Sequence, residues 1–235
     1  MSANNDKLET FTSWKPSQEE INDGIEIIKQ ANKFRQKHNY NLFDNYRFRY
    51  LLAYSFFRCL DSTIDFNYKR SGADFRNDRT LNGESKSGKI QRGKRNTSKF
   101  NYGGHFDFCK QDEEAQQDKV HRVGAFVFSI NESITEEFVF GIYFNTEESV
   151  NLVKSLLLEK QREFVKEYQV LKASGLPMKR TAVQISLLEL LNMDNKDIRY
   201  VSSNCKEVSR DYIINFLGWN DRINVNNTTH NFFGN

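Results

Sequence analysis

The sequence predicts an α/β (α+β) fold, a single domain with a central mixed β-sheet flanked by helices. Three observations carry that expectation. Two dense runs of β-branched and aromatic residues, Val123–Ile130 and Phe138–Phe144, have the length and composition of core strands. Two stretches, one opening at Ser17 and one running from Asn145 toward Gly175, space their apolar residues at helical intervals. The order of helices, a strand cluster, a long helix, a strand or two and a closing helix fits one mixed sheet, and no internal repeat divides the chain. The expected organisation is a polar leader over 1–16, one domain over 17–219 and an Asn-rich tail over 220–235.

Each element has a local reason. Ser17 and Glu20 have capping-box spacing just after Pro16, and Ile21, Ile25, Ile28 and Ala31 give the helix they open one apolar side, running toward His38. A second, largely buried helix is expected from Asp44 to Leu60, on the strength of Tyr50, Leu51, Tyr54, Phe57 and Cys59. From Ser62 to Tyr102 the chain is polar and dotted with glycine, which predicts short strands. The two core strands follow, separated by residues 131–137 and so read as a hairpin. In the long helix Val150, Val153, Leu157, Phe164, Tyr168 and Leu171 form the apolar face, and Gly175 and Pro177 end it. Thr181–Leu187 alternates as a strand, with a helical turn expected from Leu187 to Leu191. Ile198–Val201 reads as a short last strand, and Ser209 as the cap of a closing helix that reaches Leu217.

Composition bounds the function. With 38% apolar and 28% charged residues the chain belongs with folded soluble proteins. It has no apolar run of the roughly 18 residues a membrane span needs and no apolar leader, so a cytoplasmic location is expected. The three cysteines, Cys59, Cys109 and Cys205, are far apart in sequence and odd in number, which predicts neither a disulfide framework nor a structural zinc site. The net charge of +3 conceals an asymmetry: residues 69–99 hold ten basic and three acidic residues, a local charge of +7, while the remainder of the chain is at −4. A local excess of that size is the electrostatic footprint of a site for a polyanion.

The acids inside this basic window carry the chemistry. Asp74, Glu84 and Lys86 stand in the order Asp-x9-Glu-x-Lys. If Glu84 and Lys86 share a strand, their side chains point to one face, because strand side chains alternate with period two. Two carboxylates can hold a hard cation such as Mg2+ while leaving water positions open. A neighbouring lysine can orient an attacking water or offset charge that develops in the transition state. A lone E-x-K is near chance in a chain of this composition, and Asp194-x-Lys196 is a D-x-K that lacks a well-placed upstream acid and a basic surround. The weight lies in the coincidence of spacing, flanking glycines and local charge.

With Asp74, Ala73 before it, and Glu84-Ser85-Lys86, the chain resembles the PD-(D/E)xK nuclease superfamily, and within it the type II restriction endonucleases. That family has an aspartate at the start of one strand and, after a hairpin, a D/E-x-K on the next; Ala73 replaces the usual proline. The resemblance spans roughly residues 70–145, including the aromatic stretch from Lys99 to Phe108. It implies a restriction-endonuclease-like fold and a Mg2+- (or Mn2+-) dependent, sequence-specific endonuclease that hydrolyses double-stranded DNA. Asp74 and Glu84 would be the metal ligands and Lys86 the residue assisting the water. Lys89, Arg92, Lys94, Arg95 and Lys99 would contact phosphates or base edges, and a homodimer would match a palindromic site. Family members often add an acid from an early helix, for which Glu20 and Glu26 are both available.

Other readings compete for the same residues. Gly83-x4-Gly88-Lys89 imitates a phosphate-binding P-loop, but Ile90 stands where Ser or Thr should hold Mg2+. Gly141-Ile142-Tyr143 imitates the opening of a GIY-YIG nuclease without its partner motif, and reads better as core strand. His105, after two glycines, is a further candidate for contact with DNA, as are Phe100, Tyr102, Phe106 and Phe108 for base stacking, although alternation predicts a strand burying one side. The alternative function is a non-catalytic nucleic-acid-binding protein that uses the basic 69–99 segment; a surface salt bridge between Glu84 and a lysine is the plain structural explanation of the motif.

Overall fold

The computed structural model describes residues 11–38, 55–67, 73–90, 99–102, 120–133, 137–176, 183–220 and 223. The elements are β1 (Ser13–Trp14), α1 (Gln18–His38), β2 (Asp65–Asn67), β3 (Phe75–Arg76), β4 (Gly83–Ile90), β5 (Lys99–Tyr102), β6 (Ala125–Glu132) and β7 (Phe138–Phe144). They continue with α2 (Glu147–Ala173), β8 (Val183–Ser186), α3 (Leu187–Asn192), β9 (Arg199–Ser202), β10 (Glu207–Val208) and α4 (Arg210–Leu217). Eight strands form a mixed sheet in the order β1-β2-β3-β4-β6-β7-β9-β10, and β5 and β8 form a second, two-stranded sheet. The expected α/β class with a central mixed sheet is therefore present.

β7 is apolar along its whole length and β6 from Ala125 to Phe128, as suits strands covered on both faces; further along β6, Ser129 and Asn131 are buried polar residues. Strand alternation then deals their side chains into two cores. Phe126, Phe128, Ile130, Phe140, Ile142 and Phe144 face α2, β8 and α4. Ala125, Val127, Tyr143 and Val201 face Phe57, Leu60, Ile64, Phe66, Phe75 and Ile21 of α1. Burying one Phe side chain contributes about 1.5–3 kcal/mol, so the aromatic columns on the central strands dominate the apolar stabilisation. β6 and β7 pair as an antiparallel hairpin, as expected, with a register shift at Ile130/Asn131. β4 instead pairs with β6 in parallel, from Gly83↔Ala125 to Ile90↔Glu132. A parallel neighbour needs a crossover, and residues 91–124, which include β5, supply it.

Caps fix the helix starts. Ser17 N donates to Glu20 Oε2 (2.6 Å) and Glu20 N to Ser17 Oγ (3.2 Å), closing the expected capping box. Thr146 and Ser149 close another on α2, and Ser186 and Glu189 a third where β8 turns into α3 at Leu187. Ser209 caps α4 as expected.

The differences are instructive. Ser13–Trp14, within the stretch read as a leader, forms an edge strand on β2, and Ile223, in the stretch read as a tail, is buried. Two residues are too few for periodicity to register; the strand exists because polar side chains tie it down. Ser13 Oγ donates to the buried Asp65 (2.8 Å) and Thr12 N to Asn67 Oδ1 (3.0 Å). Of the helix expected over 44–60, residues 44–54 lie outside the described residues; the described part is helical at 55–57 and turns at 58–60. Gly141 is core strand, with the Phe57 ring packed where a Cβ would be.

Candidate active site

β4 carries the site. Gly83–Lys89 is extended strand, which removes the P-loop reading, since a phosphate loop needs a turn between strand and helix. The two glycines of that look-alike make room for aromatic rings instead. A Cβ at residue 83 would stand 2.5 Å from the Phe75 ring, and one at residue 88 would stand 2.7 Å from Phe100. Phe100 itself is buried on Phe128, ring centroids 5.0 Å apart, so it is core and not a stacking platform.

Because 83–90 is a strand, Glu84 and Lys86 fall on one side of it, in the rows of Phe126 and Phe128. Phe75 pairs with Gly83 in the antiparallel β3–β4 ladder. One step back along β3 and one forward along β4 brings Asp74 beside Glu84. The hydrogen bonds agree: Asp74 N donates to Gly83 O (2.9 Å), and Asp74 Oδ2 accepts from Ser85 N (2.8 Å). Lys86 Nζ bonds to Glu84 Oε1 and lies 3.9 Å from Asp74 Oδ2. All three side chains are about one-fifth exposed, at 20%, 23% and 21% for Asp74, Glu84 and Lys86. The structure thus brings together the three residues singled out by spacing, with an ammonium between two carboxylates.

Asp74 is held from behind by residues that sequence reasoning missed. Asn67 Nδ2 donates to Ala73 O (3.0 Å), and Asn67 N to Asp74 O (2.9 Å). The hairpin after β3 is closed by Asn77, whose Oδ1 accepts from Arg79 N (3.0 Å) and Thr80 N (2.8 Å). Asn77 Nδ2 in turn donates to the buried Tyr143 hydroxyl (2.7 Å), which donates to Asp61 Oδ2 (2.6 Å). Burial and the Asp61 carboxylate beside it push the Tyr143 phenol far above its usual range. Burial would raise the Asp61 carboxyl, but hydrogen bonds from Thr63, Tyr143 and Asn77 outweigh it and hold the group below its ordinary value. Asn77 was legible as a turn residue; nothing in the sequence singles out Asn67 or Tyr143.

The other named residues are placed unevenly. Lys89 is exposed and, at an odd position of β4, lies on the opposite side of the strand from Glu84 and Lys86. The Lys99 backbone belongs to β5, opposite Ser186; Arg92, Lys94, Arg95 and His105 lie outside the described residues. Arg76, counted in the basic window, is bound by Asp65 (3.0 Å). Glu20 is engaged in the α1 cap and Glu26 accepts from Gln30 on the same exposed helix (3.4 Å), so neither is tied to the site. Among the described residues no group of three or more His, Cys, Asp or Glu could hold a metal, and no helix is long and apolar enough to cross a membrane.

Two carboxylates that already share one cationic group have the donor chemistry a hard divalent ion requires, with water filling the remaining positions. Asp74 and Glu84 are the pair that would hold it. The chain matches no protein-family profile, and neither the curated proteins nor the solved structures contain a match to it.

Proposed function

We propose that this protein is a Mg2+-dependent endonuclease that hydrolyses phosphodiester bonds in double-stranded DNA, with Asp74, Glu84 and Lys86 as its catalytic set. The observation that carries the reading is the meeting of these three side chains across β3 and β4 inside the most basic segment of the sequence. A bound Mg2+ would supply a Lewis acid for a phosphate oxygen and a water acidified enough to attack. Asp74, fixed through its carboxylate by Ser85 N and through its backbone by Asn67, presents one oxygen donor without reorganising. Glu84 presents the second. Lys86 carries three N–H donors and is positioned to hold a water or a non-bridging phosphate oxygen. Lys89, Arg92, Lys94, Arg95 and Lys99 serve as phosphate or base contacts in this proposal, and a homodimer would present two such sites to a palindrome. The analogy is to the type II restriction endonucleases, which the Asp74 and Glu84-Ser85-Lys86 pattern resembles.

The test is cleavage of supercoiled plasmid with Mg2+ or Mn2+ by wild type, Asp74→Asn, Glu84→Gln and Lys86→Ala. Discrete cutting should fall by about 10²–10⁴-fold in each variant, while salt-dependent DNA binding in Ca2+ persists. Cutting that survives all three substitutions sinks the assignment. Salt-sensitive binding with no cutting under any divalent ion would favour the non-catalytic nucleic-acid-binding alternative.

A further inference from the structure

The cysteines, distant in sequence, are not all distant in the fold. Residues 55–60 lie against the β9–β10 hairpin and its neighbour β7, through contacts on either side of Cys59. Arg199 Nη1 donates to Leu60 O (2.6 Å) while its Nε and Nη2 bind Glu207 (2.8 and 2.9 Å), tying both strands of the β9–β10 hairpin to the residue after Cys59. Phe56 stacks on Phe138 (3.9 Å), near the strand end where β7 pairs with Ser202 through Phe140. These contacts set the Cys59 side chain beside that of Cys205, and both residues are exposed.

Cys205 also has a backbone that needs explaining. Its φ is +57°, the left-handed region that costs an ordinary residue roughly 1–2 kcal/mol and that Gly or Asn takes more readily. Asn204 immediately precedes it, yet Asn204 accepts from Ser202 Oγ, and Cys205 occupies the left-handed position. A side chain held at a strained turn, against a second exposed thiol, is an arrangement for which packing alone offers no reason.

We propose that Cys59 and Cys205 form a reversible disulfide by exchange with a low-molecular-weight disulfide of the glutathione class. In the first step a cysteine thiolate attacks one sulfur of the small disulfide and expels one small thiol, leaving a mixed disulfide. The second cysteine attacks the protein-side sulfur and expels the second small thiol. The two cysteine sulfurs lose two electrons and two protons, and the small disulfide gains them. Partial burial of its sulfur and the Cys59 side chain beside it push the Cys205 thiol up to about 11. Cys205 is thus mostly protonated at neutral pH, which suits it to the second, intramolecular step, where proximity offsets a low thiolate fraction. The bond would fasten residues 55–60, and through Asp61 the Asn77 hairpin, to the β9–β10 turn.

The experiment incubates the full chain with oxidised glutathione, quenches with acid and alkylating agent, and maps tryptic peptides by mass spectrometry. The expected product joins peptide 59–69 to peptide 200–206. Cys59→Ser and Cys205→Ser should instead accumulate glutathione on the remaining thiol. The oxidised wild type should melt about 5 °C or more above the reduced form, reversibly with dithiothreitol, because the closed loop is long. Glutathione retained on either cysteine of the wild type without the joined peptide overturns the proposal. So does a link from either residue to Cys109, or both thiols staying free while the single-cysteine variants become modified.

Discussion

Replacing Lys86 by Met tests the site without measuring catalysis. The substitution keeps the length of the side chain and removes the cation that Asp74 and Glu84 share. With Nζ bonded to Glu84 and 3.9 Å from Asp74 Oδ2, the facing carboxylate oxygens are within roughly 6 Å of each other on simple contact geometry. Two unit charges at that separation repel by about 3 kcal/mol at an effective dielectric constant near 20. Solvent at a one-fifth-exposed site and small rotations of Glu84 reduce this, so a loss of about 1–2 kcal/mol at pH 7 is expected, or a melting temperature lower by roughly 2–8 °C. The assay is urea unfolding of wild type and variant in EDTA and in Mg2+. Mg2+ should recover the variant's stability more than it raises that of wild type, because the ion replaces the lost charge. A variant as stable as wild type at pH 7 and indifferent to Mg2+ would refute the reasoning.

Three further outcomes follow from other contacts. Gly88→Ala puts a Cβ 2.7 Å from the Phe100 ring, so it should cost about 1–3 kcal/mol in urea unfolding, and Phe100→Leu in the same chain should recover part of that loss. Tyr143→Phe removes a buried hydroxyl that donates to Asp61 and accepts from Asn77, and should destabilise by about 1–3 kcal/mol in the same assay. Because the folded Asp61 carboxyl is held below its ordinary value of 3.8, the stability it contributes is fully present above that pH and disappears as the pH falls through the lowered value. The stability difference between wild type and Asp61→Asn should therefore be constant from pH 7 to about pH 5 and change below pH 4; a difference unaltered down to pH 2 would contradict this.

Much of the framework was legible because it is written locally. Helix caps are contacts between residues three apart, so Ser17/Glu20 and Ser209 could be read directly, and the change from strand to helix at Leu187 follows from the Ser186 cap. The central strands announced themselves through dense apolar runs, the signature of burial on both faces. Short edge elements left no such trace. β1 and β10 have two residues each, and their pairing depends on side chains from elsewhere: Asp65 and Asn67 for the first, Arg199 for the second.

The sequence by itself determined which residues could do chemistry and in what order: an acid, then a glutamate and a lysine two apart, in a basic window. Period two guaranteed that Glu84 and Lys86 would share a side once 83–90 was extended. It could not determine that 83–90 is extended, because a polar, glycine-bearing run has weak strand propensity of its own; pairing with β6, with Phe75 and Phe100 filling the spaces over Gly83 and Gly88, decided that. Nor could it bring Asp74 to Glu84, or Cys59 to Cys205, since both meetings depend on register and crossover. Those are properties of non-local pairing, which only the tertiary structure decides.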